Sequence, residues 1–180
     1  MEDIKKRFFD IVTARSNENE KALNLLLKAR CYALVGAIIR LELDSLVRVH
    51  YFNNADDNKQ GLLLHSFFNE GKWNINGKRI FDINMVDILT RSLGWAIHIY
   101  HFCCAFIHLS PYHDWASTSN IPNLTYDKRK FIVSEIKLQQ YDTTLKIDED
   151  FGFNELMPFA PHIFKKLRDN LLYEMKNKQI

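Results

Sequence analysis

The chain has 180 residues, of which 47% are hydrophobic and 26% charged, and its formal net charge is +2. These values are ordinary for a globular protein with one core, and so small a net charge gives no reason to expect nucleic acid as a partner. The scarcity of turn residues, six glycines and four prolines, disfavours an all-β sandwich. We therefore expect a single helical domain over residues 1–180.

From the sequence we expect neither a targeting segment nor a membrane span. Its first residues, MEDIKKRFFDIVTARS, mix acids and bases and lack the apolar core of a signal peptide. The most apolar stretches, Cys31–Ile39 and Trp95–Leu109, are shorter than the ~20 residues that a span needs. Cys31, Cys103 and Cys104 fit reduced thiols better than a disulfide framework. We predict a cytoplasmic protein that does not enter the membrane.

Two helices are predicted in the first third of the chain. The first covers about residues 2–14. Ser16 or Asn17 could cap the second, with Glu18 and Glu20 near its positive end, and this helix runs to about Phe52. Its middle, CYALVGAIIRLELDSLVRVHYF, is apolar nearly all round, which predicts the central helix of a bundle.

A short helix and a hairpin follow. Asp56 or Asp57 could cap a helix over about residues 59–69, and Gly71 would end it. The segment KWNINGKRIF then places apolar residues on both sides of Asn76-Gly77, a dipeptide typical of the type I′ turn. This pattern predicts a small β-hairpin over about residues 72–81.

The longest apolar segment runs from Asp82 to Ser110, DINMVDILTRSLGWAIHIYHFCCAFIHLS, and contains no proline. It predicts one continuous buried helix capped by Asp82. A loop, a helix over about residues 126–141 and a last helix starting within residues 154–163 complete the chain. Together the elements predict an all-α bundle of about five to six helices with a hairpin insertion.

One face of this long predicted helix gathers polar side chains. Arg91 and His98 are seven positions apart and would lie within about 20° of each other around the axis. His101, Cys104 and His108 flank them. Three interpretations are open. The simplest is that the histidines are neutral residues of the core, each hydrogen-bonded to a backbone carbonyl or a carboxylate.

The second interpretation is a metal site. His98 with His101, or Cys104 with His108, would place two ligands on one helical face. However, His98 and His108 would be about 15 Å apart along the axis, too far to share one ion. Because no second paired motif exists, we predict neither a metal nor another cofactor.

The third interpretation is RNA cleavage by Arg91 and His98. A histidine can move the proton of the 2′-hydroxyl or of the leaving oxygen, and an arginine can stabilise the charge that builds on the phosphate. The pair would work best if two chains packed these helices together. Its specificity is weak, because about one such pair is expected by chance in a chain of this composition.

A second constellation lies on the central helix. Arg40, Asp44 and Arg48 follow each other at i, i+4 and i+8, which allows an Arg–Asp–Arg ladder. Buried arginines must be paired, so a structural ion network is one interpretation. The other is an anion pocket facing the histidine helix, with His101 and His108 as further ligand-binding residues.

The last helix carries an excess of basic side chains, among them Lys165, Lys166 and Arg168. A solvated outer face explains them most simply, and a weak nucleic-acid or membrane-surface patch is the alternative.

Two strings, GWAIHIYHFCCAFIHLSPYHDW and ELMPFAPHIFKKLRDNLLYEM, resemble segments of uncharacterised bacterial helical proteins. Those proteins are in turn similar to the HEPN superfamily of toxin–antitoxin, abortive-infection and CRISPR-associated systems. The resemblance implies a dimerising helical bundle and an Arg-x4–6-His motif for metal-independent RNA cleavage, matched here by Arg91 and His98. Ser92 stands where the family often has Asn, Asp or His. In another register the histidine is His108, Cys103 and Cys104 replace Arg-Asn, and the protein does not cleave.

From these observations we expect a non-enzymatic, HEPN-like interaction or ligand-binding module. The predicted setting is a homodimer in the bacterial cytoplasm, linked to phage defence or to a toxin–antitoxin system, with RNA or another protein as candidate partner. The alternative is a metal-independent endoribonuclease that uses Arg91 and His98 at a dimer interface.

Overall fold

A computed structural model describes residues 2–108, 125–138 and 147–176. These residues form an all-α fold with a two-stranded hairpin, which confirms the predicted fold class. In chain order the elements are α1 (Glu2–Lys28), α2 (Tyr32–Asn53), α3 (Asp57–Glu70), β1 (Asn74–Ile75), β2 (Lys78–Arg79), α4 (Asp82–Thr90), α5 (Ala96–Ile107), α6 (Tyr126–Leu138), α7 (Phe153–Leu156), a 3-10 segment (Met157–Phe159) and α8 (Ala160–Lys176).

Helix α2 is the central element, as its sequence predicts. It packs against α1, α4, α5 and α8. Apolar side chains on several sides of the helix, such as Val35, Leu43 and Leu46, are fully buried. Burial of a helix on nearly all sides requires a sequence that is apolar nearly all round, and α2 has one.

The predicted boundary between the first two helices is wrong. Helix α1 continues through Ser16 and ends at Lys28. Instead of capping a helix, Ser16 Oγ donates to Glu42 at 2.6 Å, and Asn19 Nδ2 donates to the same carboxylate at 2.9 Å. Glu42 is fully buried on α2, so its carboxylate requires donors from the neighbouring helix. The actual break lies at Arg30, whose φ of 54° no helix accommodates.

Helix α3 and the hairpin match their predictions. The Asp56 side chain accepts a hydrogen bond from the Lys59 backbone N–H at 2.9 Å, and Gly71 ends the helix. The strands pair antiparallel around Asn76 and Gly77, which have φ values of 51° and 76°. Two consecutive positive φ values define the type I′ turn, and the Asn-Gly dipeptide tolerates them best.

The prediction of one continuous helix from Asp82 to Ser110 is wrong, because the segment forms two helices, α4 and α5. Between them, backbone hydrogen bonds join residues three positions apart: Ser92 N–H donates to Leu89 at 3.0 Å and Ala96 N–H to Leu93 at 2.9 Å. The Ser92 hydroxyl donates to the same Leu89 carbonyl at 3.0 Å. Serine competes for backbone groups and Gly94 has low helix propensity, so SLG favours a turn here.

The C-terminal part follows the predicted order. Helix α6 matches its prediction to Leu138, and residues 139–141 of that prediction lie outside the described residues, as does most of the predicted loop before it. Pro158 lies in the 3-10 segment and Pro161 in the first turn of α8, where proline is tolerated. Within the described residues, no helix has the length and apolarity that crossing a bilayer requires.

Candidate functional site

Five charged side chains from α1, α2 and α4 form one network. Arg48 Nε donates to Asp44 Oδ1 at 3.0 Å, and Arg48 Nη2 donates to Asp82 Oδ1 at 2.9 Å. The second oxygen of Asp44 accepts from Arg15 Nη1 at 2.8 Å. The second oxygen of Asp82 accepts from Arg40 Nη2 at 2.9 Å. Each carboxylate therefore joins two guanidinium groups.

The network stabilises the charged form of Asp44. Burial alone would raise the pKa of this carboxyl, but the positive charges of Arg48 and Arg15 and their hydrogen bonds outweigh it, so the pKa of Asp44 lies below its usual value. A buried carboxylate with this many charge-assisted donors stays ionised.

Only one of the two ion pairs of the predicted Arg–Asp–Arg ladder forms. Arg48 pairs with Asp44 as predicted, whereas Arg40 reaches across to Asp82 at the start of α4. Its guanidinium also lies 4.5 Å from the centre of the Tyr100 ring. Because the arginines already share two carboxylates, the geometry supports the structural interpretation, and the anion pocket stays a prediction. The sequence does not predict Arg15 as a partner of Asp44. The predicted Asp82 cap is wrong, because Phe81 is the N-cap residue and the Asp82 carboxylate, in the first turn of α4, binds the two arginines instead.

The histidines do not form a buried polar face. His98, His101 and His108 are exposed, so their interpretation as core residues is wrong. Arg91 is exposed where α4 ends, and His98 lies in the first turn of α5, so the two residues flank one turn instead of sharing a helix. Among the described residues, no group of three or more potential ligands could hold a metal ion.

An apolar groove opens beside His98. It lies between α5, α6 and α8, and its volume is about 120 Å³. Trp95, Phe102 and Phe131 supply aromatic walls, while Gly36 and Ile39 of α2 reach it from the core. Further apolar side chains come from the segment that joins α7 to α8. The groove thus gathers residues that are far apart in the chain.

Among the described residues, three polar side chains line the same groove: His98, Glu135 and Lys166. The His98 ring lies 4.4 Å from the Phe131 ring, centre to centre. Lys166 Nζ lies 4.7 Å from the centre of the Trp95 ring, a cation–π contact. Burial lowers the pKa of Lys166, and the negative charge of Glu135 acts in the opposite direction.

The prediction that the basic side chains of the last helix form a solvated face is wrong for Lys166. The side chain is half-buried, while its neighbour Lys165 is exposed and pairs with Asp169. The sequence contained one signal for this difference, because Ile163 and Lys166 are three positions apart and therefore share a helical face.

The three cysteines are free, as predicted. Burial raises the pKa of Cys103 to about 12, against the opposing charge of Arg40. Cys103 also lines the groove, where its protonated thiol adds to the apolar wall.

Comparison with protein-family models, with curated proteins and with solved structures gave no match. The similarity to HEPN proteins therefore stays a prediction from the sequence.

Proposed function

We propose that the protein is a non-enzymatic binding module whose groove between α5, α6 and α8 takes up a small apolar molecule. The observation that carries this proposal is the concentration of aromatic and aliphatic side chains around about 120 Å³ of space. A cavity of roughly 150 Å³ lined by apolar side chains is known to bind benzene. The groove accordingly suits a ligand with about one aromatic ring.

The polar side chains of the groove support the same function. Ligand sites are mostly apolar and carry a few polar groups that orient the ligand. Here His98, Glu135 and Lys166 are such groups. They belong to three different helices, so a bound ligand would contact all three and stabilise their packing.

Toluene binding tests this function. The full chain with excess toluene should unfold at a higher temperature than without it, since ligand at 100 times its Kd adds about 2.7 kcal/mol to the free energy of unfolding. The Ile132→Trp variant, which adds bulk at the groove wall, should lose this response. Ile80→Trp is the matched control, because Ile80 is also half-buried against the core but does not line the groove.

A toluene response that is equal in both variants would place the ligand elsewhere and contradict the proposal. The same conclusion would follow if toluene left the unfolding temperature of the unmodified protein unchanged over its soluble range.

The proposal also covers the oligomeric state, location and partners of the protein. We infer a HEPN-like homodimer of the bacterial cytoplasm that acts in phage defence or in a toxin–antitoxin system, with RNA or a second protein as partner. The similarity of GWAIHIYHFCCAFIHLSPYHDW and ELMPFAPHIFKKLRDNLLYEM to bacterial helical proteins supports it. Light scattering coupled to size-exclusion chromatography tests the dimer, and a mass of one chain at micromolar concentration would contradict it.

The second candidate function is a metal-independent endoribonuclease. It is favoured by the exposure of Arg91 and His98 on the two sides of one turn, where both side chains are accessible to a phosphodiester backbone. In this candidate His98 transfers the proton and Arg91 stabilises the phosphate charge. A dimer would bring two such pairs together.

Cleavage of single-stranded RNA in EDTA tests this candidate. His98→Ala should slow cleavage by roughly 10²-fold or more, the usual contribution of a general acid or base. His65→Ala is the control, since His65 is an exposed histidine on α3. Unimpaired cleavage by His98→Ala would remove this residue from the mechanism. Absence of cleavage in the unmodified protein would exclude the nuclease, as the register with His108 as the motif's histidine predicts.

A further inference from the structure

Lys166 differs from its neighbour Lys165 in burial and in how its charge is compensated. Within the described residues its ammonium group forms no salt bridge, and it lies 4.7 Å from the centre of the Trp95 ring. Lys165, one position earlier, is exposed and pairs with Asp169. A half-buried ammonium that has lost part of its hydration gains from any anion placed beside it.

A second donor stands at the same groove. His98 lines it from α5, and its ring contacts that of Phe131 at a centre-to-centre distance of 4.4 Å with the ring planes tilted. An imidazole N–H and an ammonium group are both donors that a carboxylate accepts from. The remaining polar residue, Glu135, interacts with Lys166 electrostatically and does not form a salt bridge with it within the described residues.

We propose that the ligand of this groove is a small aromatic monocarboxylate, whose ring lies among the apolar side chains and whose carboxylate accepts hydrogen bonds from Lys166 and His98. This inference rests on the proposed binding function and specifies its substrate class. A carboxylate gives the Lys166 ammonium a charge-assisted acceptor, which it lacks among the described residues, where it forms no salt bridge. A neutral ligand supplies no such charge. A ligand ammonium would be repelled by Lys166, which already covers the face of Trp95.

Three aromatic probes of similar size distinguish an anionic, a neutral and a cationic ligand: benzoate, benzamide and benzylamine. In calorimetric titrations of the full chain at neutral pH, we expect benzoate to bind at least ~10-fold more tightly than benzamide, as a charge-assisted hydrogen bond implies. Benzylamine should bind most weakly. Chemical shifts of the Trp95 indole should change with benzoate, which locates the site.

Variants at two adjacent lysines test the counter-ion. Lys166→Met keeps the length of the side chain and removes its charge, so the affinity for benzoate should fall to that for benzamide. Lys166→Arg keeps the charge and should retain the preference for the acid. Lys165→Met is the matched control and should bind benzoate like the unmodified protein.

Each unfavourable result has a distinct meaning. Equal affinities for benzoate and benzamide, or tighter binding of benzylamine, would overturn the carboxylate inference and leave the apolar groove in place. A preference for benzoate that persists in Lys166→Met would exclude Lys166 as the counter-ion and overturn the inference too. If neither toluene nor any of the three probes binds, the binding function itself is wrong.

Discussion

Arg40 of α2 and Asp82 of α4 are 42 residues apart in sequence and are joined by a contact of 2.9 Å between Nη2 and Oδ2. The arginine side chain is only 6% exposed, so Asp82 is the counter-ion that makes its burial tolerable. The same carboxylate accepts from Arg48. One aspartate in the first turn of α4 thus fixes this helix to two positions of the central helix.

Removing this carboxylate should destabilise the fold. Asp82→Asn leaves Arg40 buried without its counter-ion, and we expect a loss of about 2–3 kcal/mol in the free energy of unfolding. Urea denaturation followed by circular dichroism measures it. Asp87→Asn, an exposed aspartate on the same helix, is the control and should change stability by less than about 0.5 kcal/mol. Equal effects of the two variants would contradict a structural role of the network.

Protonation of Asp44 should weaken the fold at low pH. Its folded pKa lies below the usual aspartate value of about 3.9, so its contribution is complete above that value and is lost as the pH falls through the folded pKa. The free energy of unfolding should therefore drop between pH 5 and pH 2 more steeply in the unmodified protein than in Asp44→Asn.

The control for this pH experiment is Asp57→Asn. The Asp57 side chain is 87% exposed and lies 3.8 Å from Lys5, a surface pair that contributes little. Its pH profile should follow that of the unmodified protein. Parallel profiles for all three proteins would show that Asp44 is not the group that links stability to pH.

Gly36 allows α2 and α5 to approach each other. A Cβ atom at this position would lie 2.4 Å from Cδ2 of Phe106, whose ring is buried against Phe102 and Phe153. Although alanine favours helix, Gly36→Ala should cost about 1–3 kcal/mol because the ring cannot move without repacking the core. Thermal or urea unfolding measures the loss.

A second substitution distinguishes this clash from a backbone effect. Phe106→Leu should reduce the cost of Gly36→Ala, giving a favourable coupling energy in a double-mutant cycle. Gly94→Ala is the matched control, since a Cβ there meets no atom within 4 Å. Additive costs at Gly36 and Phe106 would contradict the steric explanation.

The thiol of Cys103 should be unreactive in the folded protein. Burial raises its pKa to about 12, and the thiolate is the reactive form. Iodoacetamide at pH 8, followed by peptide mass spectrometry, should modify Cys31 and Cys104, both half-buried, before Cys103. In denaturant all three should react at similar rates. Rapid modification of Cys103 without denaturant would mean that α5 opens locally.

The site was partly predictable from the sequence. The spacing of Arg40, Asp44 and Arg48 indicated a charged network on the central helix, because residues four apart on a helix face each other. The partners Arg15 and Asp82 could not be found in this way, since ion pairs between helices depend on how the helices pack. The half-buried position of Lys166 could not be predicted either, because it depends on contact with Trp95, which precedes it by 71 residues in the sequence.

By itself, the sequence determined the local elements. Apolar periodicity specified the helices, the Asp56 cap specified the start of α3, and Asn76-Gly77 specified the hairpin turn, because each depends on contacts within a few residues. Tertiary structure decided the rest. It continued α1 through Ser16 to reach the buried Glu42, and it brought distant side chains together around the groove. Burial and packing act between segments remote in the chain, so no local pattern contains them.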